Sequence, residues 1–146
     1  MRNYDTLRLI LGDQLNSRHS WYRERDDNTV YVIAEIRQET DYVKHHVQKL
    51  CGFFAAMEQF AASLANQGHK VLHLTLDDTS EWKDLAEMIA ALLKRCNATR
   101  FDYQRPDEHR VLCQLENLDL PEEISVRQFD TEHFLLPFDE LPEYFE

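Results

Sequence analysis

The stretch that most constrains the fold is Leu7-Arg8-Leu9-Ile10-Leu11, running directly into Gly12-Asp13-Gln14-Leu15. An apolar run this short cannot make a surface helix and reads as a buried strand, and the glycine with its acid and amide ends it. Open α/β sheets present their ligand sites in this layout, because the carboxyl ends of parallel strands gather loops and helix N-termini. The reading requires further strands that end the same way.

They are present. Thr29-Val30-Tyr31-Val32-Ile33-Ala34 is β-branched and aromatic and runs into Glu35. From Asp41 to Gln67 apolar residues recur every three or four positions, including Val43, Val47, Phe54, Met57, Ala61 and Leu64. That spacing predicts a helix with one face on a sheet, capped by Thr40 or Asp41 and ended by Gly68 in a left-handed conformation. Lys70 to Leu76 gives a third strand. Asp78 with Glu81 has the spacing of an N-cap and capping box for a second helix reaching Cys96. A fourth strand, Arg100 to Gln104, leads to Arg105-Pro106-Asp107-Glu108, where the proline is expected to open a third helix. Ile124 to Phe129 supplies a fifth strand. Strands alternating with helices predict an α/β fold: a doubly wound, mostly parallel five-stranded sheet, Rossmann-like or flavodoxin-like, in a three-layer sandwich. The domain is expected over residues 1–130. Residues 131–146, in which Phe134, Leu135, Phe138, Leu141, Tyr144 and Phe145 stand among acids, are expected to begin a linker to another body of protein.

Charge and composition narrow the partners. Acidic residues number 27 against 16 basic ones, a formal net charge of -11, which disfavours nucleic acid or an anionic membrane as a partner of this piece alone. No apolar run approaches the roughly 20 residues that cross a bilayer, so a cytoplasmic, membrane-free protein is expected. Cys51, Cys96 and Cys113 lack metal-ligand spacing and are expected to be buried free thiols.

The candidate site begins at Gly12-Asp13-Gln14. With Gly12, Gly52 and Gly68 as its only glycines, the chain has neither a dinucleotide-binding nor a P-loop fingerprint, which argues against a glycine phosphate cradle. Asp13 is either a turn acid or a carboxylate facing a ligand at the sheet's switch point, and Gln14 adds an amide that donates and accepts. Glu35 either joins Asp13 or pairs with Arg37 or Lys44 at the rim. His45 and His46 project about 100° apart on a helix, a poor chelating pair, and no metal site is expected. No serine or cysteine stands in a recognisable nucleophile arrangement, so no catalytic residue is assigned.

Beyond these residue-level readings, the sequence resembles the photolyase-related proteins, the bacterial iron-sulfur branch of the cryptochrome and photolyase superfamily. The likeness is carried by Leu9-Ile10-Leu11-Gly12-Asp13-Gln14-Leu15, by Glu35-Ile36-Arg37-Gln38-Glu39-Thr40-Asp41-Tyr42-Val43-Lys44-His45-His46-Val47-Gln48-Lys49-Leu50, by Phe53-Phe54-Ala55-Ala56-Met57, and by Leu76-Asp77-Asp78. The resemblance implies an amino-terminal antenna domain that holds a ribityllumazine-type chromophore and passes excitation to FAD in a following helical domain. That following part would also carry a [4Fe-4S] cluster and the DNA-facing surface, so DNA repair or photoreception would belong to the full-length protein and not to this chain. Carried across, Leu11, Gly12, Asp13, Gln14, Leu15, Glu35, Tyr42 and His46 become chromophore-binding candidates. Asp13 and Glu35 would orient the ligand, and Gly12 would admit it close to the backbone. The alternatives are a scaffold or interaction domain with an empty antenna site, and a generic nucleotide-binding domain.

Overall fold

The computed structural model describes residues 3–35 and 47–132, with side chains of the second span described from Cys51 onward. Tyr42, His46, the expected helix start near Thr40 and most of the 131–146 segment lie outside the described residues. The elements are β1 (Thr6–Ile10), a single 3-10 turn (Ser20–Tyr22), β2 (Thr29–Ala34), α1 (Val47–Asn66), β3 (Lys70–Leu74), α2 (Leu76–Thr79), α3 (Leu85–Cys96), β4 (Arg100–Gln104), α4 (His109–Glu116) and β5 (Ser125–Phe129).

All strand pairings are parallel, in the order β3-β2-β1-β4-β5. β1 is central, registered from Thr6 opposite Thr29 to Ile10 opposite Ile33 on one side and from Thr6 opposite Arg100 to Leu9 opposite Tyr103 on the other. The chain winds outward from β1 in both directions, so the order reverses between β1 and β4, and the carboxyl ends of these two strands form the switch point.

The two faces of the sheet bury different clusters. Leu7, Leu9, Val30, Val32, Phe101 and Tyr103 pack with Leu85, Met88, Ile89, Leu92 and Leu93 of α3 and with Val111 and Leu115 of α4. On the other face Ile10, Tyr31 and Ile33 pack with Met57, Ala61 and Leu64 of α1 and with Trp21 and Tyr22 from the β1–β2 loop. Alternating strand residues therefore fill both layers, each fully buried Leu, Ile or Val contributing about 1.5–3 kcal/mol.

Several local expectations need correction. Thr75, not Asp78, is the N-cap after β3: its side chain accepts from the Asp78 N–H while the Asp78 carboxylate accepts from the Thr75 N–H at 2.9 Å, a reciprocal box around the short α2. A separate cap, Asp84, starts α3 by accepting from the Glu87 N–H at 2.9 Å. Glu81, expected in the box, instead pairs with Arg95 at 3.0 Å. Pro106 opens no helix; α4 begins three residues later, after Glu108. Of the three thiols only Cys96 is buried, Cys113 being half-buried and Cys51 exposed. The expected left-handed Gly68 is present, with φ 96°.

Candidate functional site at the carboxyl edge of the sheet

The turn after β1 divides its work between neighbouring residues. Gln14 is 2% exposed, and its amide closes the gap between β1 and β4: Oε1 accepts from the Leu11 N–H at 3.1 Å and Nε2 donates to the Gln104 carbonyl at 3.1 Å. It thereby extends the ladder beyond the last paired residues of the two strands, where the sheet would otherwise splay. Leu11 is buried in the α3-facing core and Leu15 is half-buried against the other cluster. Asp13 lies between them and is exposed. Gly12 is buried, and a Cβ built there would run into the ring of Phe53 on α1. The absence of a side chain at Gly12 therefore makes room for an aromatic ring that stays 36% exposed at the edge of the site.

Glu35 is 8% exposed and turns toward β3. Its Oε2 accepts from the Leu76 N–H, the first amide of α2, at 3.0 Å, and its own carbonyl accepts from the Thr79 hydroxyl at 2.7 Å. Neither Arg37 nor Lys44 is among the described residues. Asp13 and Glu35 thus stand at the ends of adjacent strands, but Glu35 anchors α2, and Asp13 is the exposed carboxylate of the two.

The β1–β2 loop covers one sheet face and is fastened to the segment leaving β5. His19, 1% exposed, accepts at Nδ1 from the Trp21 N–H at 3.1 Å and meets the Asp130 carbonyl through Nε2 at 2.7 Å. These two contacts fix the tautomer with the proton on Nε2. Glu132 accepts from the Ser20 hydroxyl at 2.6 Å and from the Ser20 N–H at 3.2 Å, while holding a left-handed backbone with φ 62°. A non-glycine residue there costs about 1–2 kcal/mol, which the charge-assisted bonds to Ser20 offset.

Under this loop is an ion network that the sequence reading missed. Asp102, 0% exposed, accepts from Arg8 Nε at 3.1 Å and from Arg127 at 2.9 and 2.8 Å. The guanidinium of Arg8 also donates to the Tyr31 hydroxyl at 3.1 Å and lies 4.9 Å from the Trp21 ring centroid. The hydrogen bonds to Asp102 raise the Arg127 pKa, and burial raises that of Tyr31. A signal existed: Arg8 is the lone charge of an otherwise apolar strand, Asp102 is an acid flanked by Phe101 and Tyr103, and the parallel register sets the two side by side. Phe53 left a weaker signal, since an aromatic residue on a helix ordinarily reads as core.

Among the described residues no group of three His, Cys, Asp or Glu side chains could hold a metal ion, and no helix is long and apolar enough to cross a membrane.

Comparison with known proteins fits this architecture. The chain is 29% identical over 110 residues to a "(6-4) photolyase" of Agrobacterium fabrum (strain C58 / ATCC 33970), a match covering 74% of the chain and 22% of that protein. The chain therefore spans about a fifth of the length of this relative. Residues 8–146 match the family described as deoxyribodipyrimidine photo-lyase-related protein, a span that takes in the β1 turn, both sheet faces and the fastened exit segment. The chain belongs to the deoxyribodipyrimidine photo-lyase-related protein family.

Proposed function

We propose that this α/β domain seats an antenna chromophore of the ribityllumazine type at the carboxyl edge of its sheet. In a longer photolyase-like or cryptochrome-like protein it would harvest light for FAD-dependent DNA repair or photoreception. The observation that carries the reading is the pairing of an exposed carboxylate, Asp13, with the half-exposed ring of Phe53 at the end of the central strand. A flat heterocycle with a polyhydroxyl chain needs an aromatic surface to lie on and an acceptor for its O–H and N–H groups. The geometry modifies the roles expected from the family. Phe53 occupies the space above Gly12, so the ring of the ligand would rest on Phe53, with Asp13 orienting its polar end. Gln14 and Glu35 support the site from beneath through their bonds to backbone. FAD, an iron-sulfur cluster and contact with DNA are assigned to the remainder of the longer protein.

The engagement of Gln14 and Glu35 by the domain's own backbone also favours the competing reading, a scaffold whose antenna site is empty. Ultrafiltration of the protein with 6,7-dimethyl-8-ribityllumazine separates the two. The antenna reading predicts retained absorbance that is lost in Asp13→Ala, whereas equal passage of the dye with and without protein supports the scaffold.

A further inference from the structure

A cavity of about 330 Å³ opens at the amino-terminal half of β1 and β2, on the face covered by the β1–β2 loop and away from the carboxyl edge. Its lining includes the largely buried Arg8, Trp21 and Tyr31 and the exposed Arg23, Glu24 and Asp26. We propose that this cavity is a binding site for a small monocarboxylate, anchored on the Arg8 guanidinium.

The first argument is charge. Among the described residues Asp102 is the one carboxylate bonded to these guanidiniums, and it is shared between two of them, so Arg8 has only part of a directly bonded counter-charge. Arg8 is the less exposed of the pair, at 19% against 44% for Arg127, so an anion gains most beside Arg8. Geometry supplies the second argument. Asp102 holds Nε, the Tyr31 hydroxyl holds Nη1, and Trp21 underlies the plane, while Nη2 has no hydrogen-bond partner among the described residues. A fixed donor of this kind binds a carboxylate oxygen at little cost in side-chain entropy. Third, Trp21 in the lining is 6% exposed and packed against Tyr31 and Phe129, so the aromatic wall behind the guanidinium is held in place.

The acids in the lining set the class of anion. Asp26 has its oxygens on the Asn28 N–H at 2.9 Å and the Thr29 hydroxyl at 3.0 Å, so it acts on Arg8 through space and not through a hydrogen bond. Those bonds, the backbone one first, also hold Asp26 below the usual carboxylate range, keeping it ionised. With Glu24 beside it and Arg23 as the one basic residue at the mouth, the lining repels multiply charged anions more strongly than a monoanion, which favours the monoanion. The volume lies at the small end of ligand cavities, which favours a compact acid.

The test is a titration of the protein with sodium acetate at constant ionic strength, followed at the two tryptophan indole N–H resonances. Trp82, which packs beneath Arg95 on the opposite side of the sheet, is the internal control. The proposal predicts a saturable shift at Trp21 alone, with a dissociation constant on the order of 1 mM. It also predicts binding lost in Arg8→Lys and several-fold weaker in Arg23→Glu, an exposed change that leaves the ion network intact, so the prediction remains decidable if Arg8→Lys does not fold. A linear response, equal shifts at both tryptophans, the same shift with chloride, or equally tight binding of inorganic phosphate would overturn it.

Discussion

The role assigned to Gln14 can be tested quantitatively. In Gln14→Leu the side-chain volume is nearly kept, but the Leu11 N–H loses its acceptor and the Gln104 carbonyl loses a donor inside a site 2% exposed. A buried amide left unsatisfied costs about 1–3 kcal/mol and a lost ordinary hydrogen bond about 1 kcal/mol, so the substitution should destabilise the domain by about 2–4 kcal/mol. With a urea m-value of about 2 kcal/mol/M, the middle of the range for a small domain, the unfolding midpoint should fall by roughly 1–2 M with m unchanged. Asp13→Ala one residue away is the comparison and should cost clearly less than Gln14→Leu, because Asp13 is exposed and no buried group is left unsatisfied by the loss of an exposed carboxylate. Gln14→Glu adds a sign check. Its carboxylate keeps the acceptor for Leu11 but faces the Gln104 carbonyl without a proton to donate, so the variant should recover stability as the pH falls and the carboxyl protonates. Equal midpoints for Gln14→Leu and the native chain, or equal losses in Gln14→Leu and Asp13→Ala, would refute the claim that Gln14 closes the switch point and Asp13 is left to face outward.

Glu132→Ala should speed amide hydrogen exchange in residues 17–27 while leaving β1 and β2 protected, since Glu132 ties Ser20 to the exit segment without touching the strands; unchanged exchange would show that the tie does not hold the loop. Stability should fall on acidification in two stages. Burial depresses the folded pKa of His69 below 6.5, so its contribution is complete above about pH 6.5 and is lost as the pH falls through that lower value. Asp26 and Asp78 are held below 3.8 chiefly by backbone N–H bonds, so their contribution is lost further down, as the pH falls through their depressed values. Urea midpoints at a series of pH values check this, and His69→Gln should flatten only the upper stage. In thiol labelling Cys51 should react readily and Cys96 last, because burial both shields that thiol and raises its pKa.

Much of the fold was legible because its signals are local and repeated. Arg100–Gln104 is weak on pattern alone and was bounded correctly through the proline segment that follows it, while Val30 to Ile33 could only be a strand. The α3 stripe of Leu85, Met88, Ile89, Leu92 and Leu93 follows from helical spacing. Capping was less legible, since Thr75 and Asp78 are both competent caps. The choice between them depends on the Glu35 carboxylate forty-one residues earlier in sequence, which fixes α2 at Leu76. Pro106 misled for a similar reason: residues 105–108 carry the chain across the carboxyl edge before α4 turns back, and a proline in that crossing has the same local signature as one at a helix start. At the site, residue type identified the turn but could not apportion it. Asp13 and Gln14 are adjacent and both polar, and only the parallel placement of β1 beside β4 directs the amide inward and leaves the carboxylate outside. Phe53 joins them only because α1 crosses above Gly12.

The central claim is that the Gly12-Asp13 turn, with Phe53, is where this domain meets its ligand. An amide-resolved NMR titration with 6,7-dimethyl-8-ribityllumazine tests it most directly, because it reports location as well as affinity. The account predicts saturable shifts centred on Gly12, Asp13 and Phe53, with Arg8 and Trp21 unmoved. Shifts centred on the Arg8 cavity, or a spectrum indifferent to the lumazine, would contradict it.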